Sequence, residues 1–435
     1  MTEFAILDDD ALLERLQLGA FKYFTSYVNP ENGLVADTSR VDSPCSIAVV
    51  GFALSCYVVA VRRGWLSRAS AAQRTLKVLD FFWRSRSSER SDATGYKGFY
   101  YHFLDMRRGR RVWQCELSLI DTALLLAGML TAACFFDNDT ERETRIRRLA
   151  DDLYRRVDWR WAQIDTGTLA QGWKPEGGFL HYGWEGYNEA TILYVLGAGS
   201  PTHSLPANCF TAWTATYQWE NLLDRDVLYA GPLFTHLFSH AWLDFRGIRD
   251  QFMRTTASDY FKNTKSAIAI QRDYAACNPR AFAGYGRDLW GITAGDGPGP
   301  RERQSRRSDR EFFGYMSRGV PYGPDDGTIA PWAMLATLPF DSAAALRGTR
   351  NLLGLYPQVL SADKFTSGFN PSVKISPMGW LSDGWYGLDQ GLLVLMIENQ
   401  RTGLLWNLMR RCTPIRRGLR RVGFTGGWLD DVARA

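Results

Sequence analysis

The sequence predicts an all-α fold in which about a dozen helices form an α/α toroid with long loops on one face. Apolar residues recur at helical spacing in many separate blocks along the 435-residue chain. Strand-like alternation is rare and short, as at 96–104, 111–115 and 177–182. Long connections rich in glycine, proline and aromatic residues separate several helices, and a ring of helices would gather them at its mouth. A helical solenoid is the alternative, but no repeat of about 33–45 residues is visible.

The helical blocks are spread over the whole chain. In chain order, we predict helices at about 9–28, 43–63, 69–85, 117–136, 140–157, 188–198, 230–244, 256–270, 329–337, 341–353, 388–399 and 400–412. The long connections are 158–187, 199–215, 279–328 and 354–387. Within the third, the segment 297–326 is predicted to be a lid or a surface loop. No low-complexity linker or change of composition marks a boundary, so we expect a single domain over residues 1–435.

Composition and charge narrow the class of protein. The net charge is only +5, and acidic residues lie between the short basic runs Arg107–Arg111 and Arg416–Arg421. Nucleic-acid binding would need basic residues gathered on one face, so we expect solvated surface and no nucleic-acid partner. Aromatic residues make up 14% of the chain and include 16 Trp. That content suits either a large core or a groove in which sugar faces stack on aromatic rings.

Cysteines and apolar runs bear on the cellular setting. The seven Cys form no CxxC pair and have apolar neighbours, so we expect buried free thiols. The acidic N-terminus lacks the basic and apolar regions of a signal peptide. As written, the sequence therefore predicts a cytoplasmic location, or a periplasmic one if a leader has been removed. The longest apolar run, Ile47–Val61, is too short to span a bilayer comfortably.

The segment Gly183–His203 carries two carboxylates where a loop rich in glycine and aromatic residues enters a helix. Glu185 and Glu189 lie four residues apart, so they would share a helix face if the helix begins early enough. Side chains at a helix N-terminus lie near unpaired backbone N–H groups. Carboxylates gathered there with Trp and Tyr are typical of a sugar-cleaving site. A second segment, Gly384–Gly391, repeats the pattern and places Asp389 before an apolar helix.

Eight blocks in a fixed order make the chain similar to a known family. They are 33–37, 98–105, 120–128, 184–203, 234–242, 290–294, 326–331 and 385–403. Together they resemble the bacterial glucoamylase-like family, which includes the β-1,2-glucanases of glycoside hydrolase family 144 and is related to domains of cyclic β-1,2-glucan synthases. The resemblance covers nearly the whole chain. It implies an (α/α)6 barrel and an inverting glycosidase that acts on β-linked glucan, without fixing the linkage or the endo or exo mode.

Inverting hydrolysis needs a protonated carboxyl for the leaving oxygen and a carboxylate that activates water, typically about 6.5–9.5 Å apart. We predict that Glu189 is the general acid, with Glu185 as its rival. We predict that Asp389 is the base, with Asp383 in the preceding loop as its rival. Asp121 opens an apolar helix, where it could serve as an N-cap. The resemblance also places an acidic residue here facing the cleft, as a substrate binder or an alternative base.

Further residues are predicted to hold the sugar. Asp37 and Asp105 are weaker acidic candidates of the same kind as Asp121. Several aromatic residues in glycine-rich loops are candidate sugar platforms, with core packing as the alternative: Trp184, Tyr187, Trp290, Trp385 and Tyr386. His203 follows a Ser-Pro-Thr turn, where it would position the loop or contact a sugar.

Other chemistries find little support in the sequence. His236 and His240 have the i, i+4 spacing of metal ligands, but no third ligand is evident and the intervening glutamate of a zincin is missing. No serine-hydrolase elbow, P-loop or dinucleotide fingerprint occurs. We therefore expect no cofactor or metal. We also expect a monomer, and the resemblance to the β-1,2-glucanase family implies β-1,2-glucan or its oligosaccharides as substrate. A β-glucan transglycosylase and a non-catalytic glycan-binding protein on the same barrel are the alternatives.

Overall fold

A computed structural model describes residues 7–300 and 311–431, which fall into two compact units. The unit that we call the Glu189 unit comprises the described residues of Tyr23–Tyr217, Ser239–Tyr260 and Thr402–Ala435. The Asp389 unit comprises those of Met1–Lys22, Gln218–Phe238 and Phe261–Arg401. Helices make up most of the regular structure, as predicted.

The helices of the described ranges are given in chain order. They are α1 (Asp9–Phe21), α2 (Tyr23–Ser26), α3 (Ile47–Arg62), α4 (Arg68–Arg84), α5 (Leu119–Phe135), α6 (Glu141–Arg155), α7 (Thr191–Gly199), α8 (Ala207–Thr214), α9 (Gln251–Arg254), α10 (Tyr260–Cys277), α11 (Pro331–Ala336), α12 (Ser342–Leu355), α13 (Gly387–Thr402), α14 (Leu404–Arg411), α15 (Thr413–Arg421) and α16 (Trp428–Asp431). Short 3-10 helices cover Leu233–His236, Ser239–Ala241 and Pro357–Val359.

The strands are short and pair in antiparallel fashion. They are β1 (Cys45–Ser46), β2 (Gly95–Tyr96), β3 (Phe99–Tyr101), β4 (Phe103–Leu104), β5 (Leu117–Ser118), β6 (Gly172–Lys174), β7 (Gly178–Phe179), β8 (Trp219–Leu222), β9 (Arg225–Leu228), β10 (Ala294–Gly295), β11 (Met316–Ser317), β12 (Leu360–Ser361), β13 (Lys364–Phe365), β14 (Phe369–Asn370) and β15 (Trp380–Leu381). In the Glu189 unit, one sheet has the order β2-β3-β5-β6-β7, and β1 pairs with β4.

The Glu189 unit is built around α3 and α5. Both helices are apolar on nearly every face, so each is buried almost throughout. They pack closely because Gly51 and Gly128 face each other, and a Cβ added at either position would overlap the backbone of the opposite helix. In contrast, α4 and α6 bury one face each and expose charged residues on the other. Strands β1 and β5 lead directly into α3 and α5, which places the preceding loops at the N-terminal ends of buried helices.

The Asp389 unit contains the long buried helix α13. The helix is buried over most of its length from Gly387, and α11 packs against α12. A buried ion pair between Arg318 and Asp326, with Nε–Oδ1 at 2.7 Å, fixes the loop before α11. Hairpins β12–β13 and β14–β15 precede α13. No helix of the described ranges is both long and apolar enough to cross a bilayer.

Several predicted elements differ from the structure. The predicted helix 230–244 is instead two 3-10 helices, and the N–H groups of Leu233 and Phe234 bond to the Ile292 carbonyl and the Thr293 hydroxyl. Helix α8 lies in a segment predicted as a loop, and α15 lies in a segment predicted as a solvated basic run. Of the predicted lid 297–326, residues 301–310 lie outside the described residues.

Candidate active site

The loop before α7 holds Glu185 and Glu189. The helix begins at Thr191 with Ala190 as its N-cap, so both glutamates precede it and do not share a helix face as predicted. The Asn188 side chain explains this late start: its amide donates to the Gly186 carbonyl at 2.9 Å, and its oxygen accepts from the Ala190 N–H at 3.0 Å. Such local side-chain bonds compete with the helix for the backbone groups. Gly186 itself has φ +71°, which an L residue adopts only with strain.

Glu189 is half-buried, whereas Glu185 is exposed. Burial raises the pKa of the Glu189 carboxyl to about 7, and the negative charge of Asp121 adds to the increase. The backbone carbonyl of Glu189 accepts a hydrogen bond from the Ser239 hydroxyl at 2.8 Å. The same hydroxyl accepts from Ile192 N–H at 3.2 Å, so one serine ties the loop to the first turn of α7. Near neutral pH, a carboxyl with this pKa can act as a proton donor.

Asp121 lies in the first turn of α5, in the third helical position and not at the N-cap. Ser118 is the N-cap: its hydroxyl accepts from the Asp121 N–H at 3.2 Å and donates to Asp121 Oδ2 at 2.5 Å. The arrangement resembles a capping box, in which cap and third residue satisfy each other. The carboxylate is 7% exposed, and its charge acts on both Glu189 and Asp37. The structure therefore brings Asp121 into the surroundings of Glu189.

His102 joins this group, although no role for it was predicted. Its Nδ1 lies 2.8 Å from Glu116 Oε1, and its Nε2 lies 3.5 Å from Asp121 Oδ2. Burial disfavours the charged imidazolium, but the carboxylates of Asp121, Glu116 and Asp37 outweigh it and raise the pKa of His102 to about 9. His102 is therefore a cation at neutral pH. It occurs beside β4 within the family block 98–105, so only its neighbouring motif pointed to this position.

Asp37 completes the acidic group of the Glu189 unit. Its N–H donates to the Pro44 carbonyl at 2.7 Å, which fixes the extended backbone there. Burial raises the pKa of Asp37 to about 6; the His102 cation opposes this increase and Asp121 adds to it. Three carboxyl groups with one histidinium among them thus form what we call the acidic cluster: Asp37, His102, Asp121 and Glu189. Asp105, the weaker candidate, instead closes a loop by accepting from the N–H groups of Arg107, Arg108 and Arg110.

Aromatic residues flank the loop before α7. Trp184 is half-buried, and its Nε1 has no hydrogen-bond partner among the described residues. Its carbonyl accepts from the Tyr194 hydroxyl at 2.9 Å, which anchors it to α7. Tyr187 is stacked on Tyr260 with ring centroids 5.9 Å apart, and it meets the edge of Tyr217 at the same distance. Trp184 can therefore offer the exposed part of its ring to a ligand, whereas its N–H is buried.

In the Asp389 unit, the predicted residues cluster at the start of α13. Asp389 lies in the first turn and is 7% exposed, whereas its rival Asp383 is exposed in the preceding loop. Lys364 Nζ lies over the Trp385 ring at 4.6 Å. Tyr386 stacks on Tyr315, with centroids 6.1 Å apart, and Tyr315 is 62% exposed. Tyr315 was missed because it follows a segment that offered no helical or strand pattern.

Four other residues considered in the sequence are placed elsewhere. Trp290 is fully buried, so it presents no face on which a sugar could stack. His203 is exposed beyond the C-terminal end of α7, with Nδ1 3.7 Å from Asp158 Oδ1, so the length of the helix separates it from Glu189. His236 and His240 lie in separate 3-10 helices. Burial lowers the pKa of His236 to about 4, and its Nε2 lies 3.0 Å from the Ala230 carbonyl.

In ranges 7–300 and 311–431, no three His, Cys, Asp or Glu side chains are arranged to hold a metal ion. The histidine of the acidic cluster instead makes ionic contacts with carboxylates.

Comparison with known proteins now places the chain in a family. A family model described as "Putative glucoamylase" matches residues 181–413, more than half of the chain, and includes both Glu189 and Asp389. The chain belongs to this glucoamylase family, which confirms the resemblance seen in the sequence.

Individual relatives are similar over nearly the whole chain. The exo β-1,2-glucooligosaccharide sophorohydrolase (non-reducing end) of Parabacteroides distasonis is 27% identical over 453 residues, which cover 96% of this chain and 58% of that protein. The present chain thus spans less than two thirds of that curated relative. A solved Bacteroides uniformis structure of the same family description has a TM-score of 0.85 and 28% identity, with 97% and 99% of the two chains covered. The structure of the Chitinophaga pinensis endo-β-1,2-glucanase, solved with sophorotriose and glucose, has a TM-score of 0.82 and 25% sequence identity. The match covers 97% of this chain and 100% of that chain.

Proposed function

We propose that the protein is an inverting glycoside hydrolase that cleaves β-1,2-linked glucan or its oligosaccharides. The observation that carries the proposal is the half-buried Glu189 carboxyl, whose pKa of about 7 suits a general acid. Two relatives of this chain are named for hydrolysis of β-1,2-linked glucose chains, which supports the same substrate class. We further propose the single-domain (α/α)6 toroid that the sequence predicts.

Glu189 would protonate the oxygen of the leaving sugar. As the bond between the anomeric carbon and that oxygen breaks, the Glu189 proton moves onto the oxygen, and Glu189 is left as a carboxylate. Asp121 raises the pKa of Glu189 by its charge, so it helps to keep this proton in place beforehand. His102 limits the accumulated negative charge of the acidic cluster, because as a cation it contacts Asp121. The ring of Trp184 would carry a sugar face.

Asp389 is the proposed base. It would take a proton from a water molecule whose oxygen attacks the anomeric carbon from the side opposite the leaving oxygen, which inverts the configuration. Its place in the first turn of the buried helix α13 supports this role over that of Asp383, which is exposed in a loop. Trp385 and Tyr386, directly before α13, are the proposed sugar platforms of this unit, and Tyr187 is proposed as one of the Glu189 unit. Asp121 remains the alternative base, and Asp37 a substrate binder.

The first experiment is a substrate panel. Purified protein is incubated with linear and cyclic β-1,2-glucan, with β-1,3-glucan and starch as controls, and product sizes are followed over time. We expect products from β-1,2-glucan alone, and their sizes distinguish endo from exo cleavage. Absence of products from every substrate would overturn the proposal, and products longer than the substrate would indicate a transglycosylase.

The base is assigned by matched variants in the same assay. We expect Asp389→Asn to lower kcat by about 10²-fold or more, in the range of general acid–base contributions. Asp383→Asn should retain most of the activity, since its side chain is exposed. A strong loss with Asp121→Asn and little loss with Asp389→Asn would instead make Asp121 the base.

A further inference from the structure

The turn Val112–Cys115 between β4 and β5 carries a tryptophan that is exposed to solvent. Trp113 is 70% exposed, and both Trp113 (φ 56°) and Gln114 (φ 49°) adopt the left-handed backbone region. Single exposed hydrophobic residues are common on proteins. Two successive non-glycine residues in the left-handed backbone region are uncommon. Each such residue costs about 1–3 kcal/mol, so the conformation persists only where the surrounding structure enforces it.

The side chain of Arg111 holds this turn by hydrogen bonds to its backbone. Its side chain is 2% exposed, and it donates to the Cys115 carbonyl at 2.6 Å and to the Gln114 carbonyl at 2.8 Å. The same guanidinium pairs with Glu176 at 2.6 Å and lies 4.8 Å from the centre of the Tyr101 ring. A buried arginine with four such contacts holds the turn in one conformation. The backbone of Trp113 is therefore held in place, and most of its side chain is exposed to the solvent.

The ring of Trp113 is connected to the acidic cluster by aromatic contacts. Its centroid lies 5.2 Å from that of Phe103, and Phe103 stacks on His102 at 4.0 Å with planes only 10° apart. His102 contacts Asp121, whose charge acts on Glu189. The path from Trp113 to the proposed acid therefore runs within the Glu189 unit, through adjoining side chains.

Trp113 also forms one wall of an open groove of about 810 Å³. Tyr27 lies along the same groove, and Ala36 and Thr38, on either side of Asp37, line it too. The charged groups along it nearly cancel, because the two arginines Arg40 and Arg107 occur with the three acidic residues Glu31, Asp42 and Asp105. A groove with aromatic walls and a small excess of negative charge suits a neutral, hydroxyl-rich ligand better than an anion.

We propose that Trp113 is the platform of a distal sugar subsite that binds β-glucan residues several units away from the scissile bond. The inference rests on the proposed function for the ligand's identity and extends it to chain-length preference. A sugar face would stack on the indole, while Thr38, Arg40 and Asp105 in the groove would bond its hydroxyls. Because the backbone of the turn is already fixed and tryptophan has few side-chain torsions, little entropy is lost on binding and one ring can contribute usefully.

The test compares long and short substrates in Trp113→Ala and the wild type. We expect kcat/KM for long β-1,2-glucan chains to fall about 3- to 10-fold, with the rate on the shortest cleaved oligosaccharide unchanged. The matched control is Trp83→Ala. Trp83 lies on α4, is also partly exposed and has the Arg156 guanidinium over its ring. This variant should change the rate on neither long nor short substrates. Trp113→Gly should show the same length-dependent loss without a lower Tm, because glycine accepts the left-handed backbone. An equal loss on long and short chains, or no loss on either, would overturn the subsite.

Binding separates this inference from the proposed function. Calorimetry with long β-1,2-glucan is performed on Glu189→Gln and on the Glu189→Gln/Trp113→Ala double variant. Weaker binding by the double variant supports the subsite even if the wild type cleaves nothing, a result that overturns only the hydrolase proposal. Cleavage by the wild type with identical binding by the two variants overturns only the subsite. Absence of both cleavage and binding overturns both.

Discussion

At the scale of single residues, the environment of one carboxyl decides the chemistry. Glu185 and Glu189 are identical in type and four residues apart, yet Glu185 is exposed and Glu189 is half-buried near Asp121. Burial gives the Glu189 carboxyl the raised pKa that a proton donor needs at neutral pH. The difference arises from the Asn188 turn and the Ser239 contact, which place Glu189 at the entry of α7.

The two glutamates are therefore expected to respond differently to the same substitution. Glu189→Gln should lower kcat on β-1,2-glucan by about 10²–10⁴-fold, since it removes the transferable proton. Glu185→Gln, the matched control, should keep activity within a few fold. Circular dichroism and Tm check that both variants are folded. Near wild-type turnover by Glu189→Gln would rule out its role as the acid.

The pH dependence follows from the direction of the Glu189 shift. The acid must be protonated, so kcat/KM should fall about tenfold per pH unit above pH 7, where the folded-state pKa lies. Asp37→Asn should retain this alkaline limb, although the pKa of Asp37 is also raised, to about 6. A limb that disappears in Asp37→Asn would transfer the titration to Asp37.

The same shift affects stability in a way that needs no substrate. The folded protein keeps the Glu189 proton up to about pH 7, whereas the unfolded chain releases it near 4.5. Wild-type stability is therefore lost relative to Glu189→Gln as the pH rises from 4.5 to 7, by up to about 3 kcal/mol. Denaturant unfolding of the two proteins at pH 4.5 and pH 8 measures this, and a difference that is constant with pH would contradict the buried acid.

At the scale of elements, the buried helices α3 and α5 position the loops that carry the acidic cluster. Their close approach depends on Gly51 and Gly128, and Ser118 caps α5 directly beside Asp121. The cap is thus both a structural device and a support for a site residue. Loss of this packing would move Asp121 as well as destabilise the core.

Adding one methyl group at the helix contact tests this packing. Gly128→Ala should lower the free energy of unfolding by about 1–3 kcal/mol, because the new Cβ overlaps the Gly51 carbonyl and backbone. Gly354→Ala in α12 is the control, since a Cβ there meets no atom within 4 Å and alanine favours the helix. Chemical denaturation of both variants provides the measurement. Equal stability of the two would show that the helices separate without cost.

At the scale of the whole molecule, the proposed inverting mechanism predicts which anomer of the product is released. An inverting enzyme that cleaves a β-linkage releases the α-anomer first. Proton NMR of the reaction, recorded before mutarotation mixes the anomers, should therefore show the α-anomer of the new reducing end. Initial release of the β-anomer would indicate a retaining mechanism and a different pair of catalytic roles. Starch, which is not cleaved on this proposal, serves as the blank.

The sequence by itself determined most helices and the family of this protein. Long apolar repeats predicted α3, α5 and α13 close to their observed bounds, because a helix buried on all sides needs a continuous apolar run. Loop-to-helix patterns also located Glu189 and Asp389 near helix starts. Local patterns failed at 230–244, where two 3-10 helices form and the first of them bonds to the distant residues Ile292 and Thr293.

Only the tertiary structure decided which side chains meet and which remain accessible. His102 contacts Asp121 across 19 positions of sequence, and the charge of Asp121 reaches Glu189 and Asp37 through space. Trp290 and Trp113 look alike in the sequence, yet one is fully buried and the other is 70% exposed. Burial and electrostatic coupling depend on contacts between distant segments, and these arise only when the chain is folded.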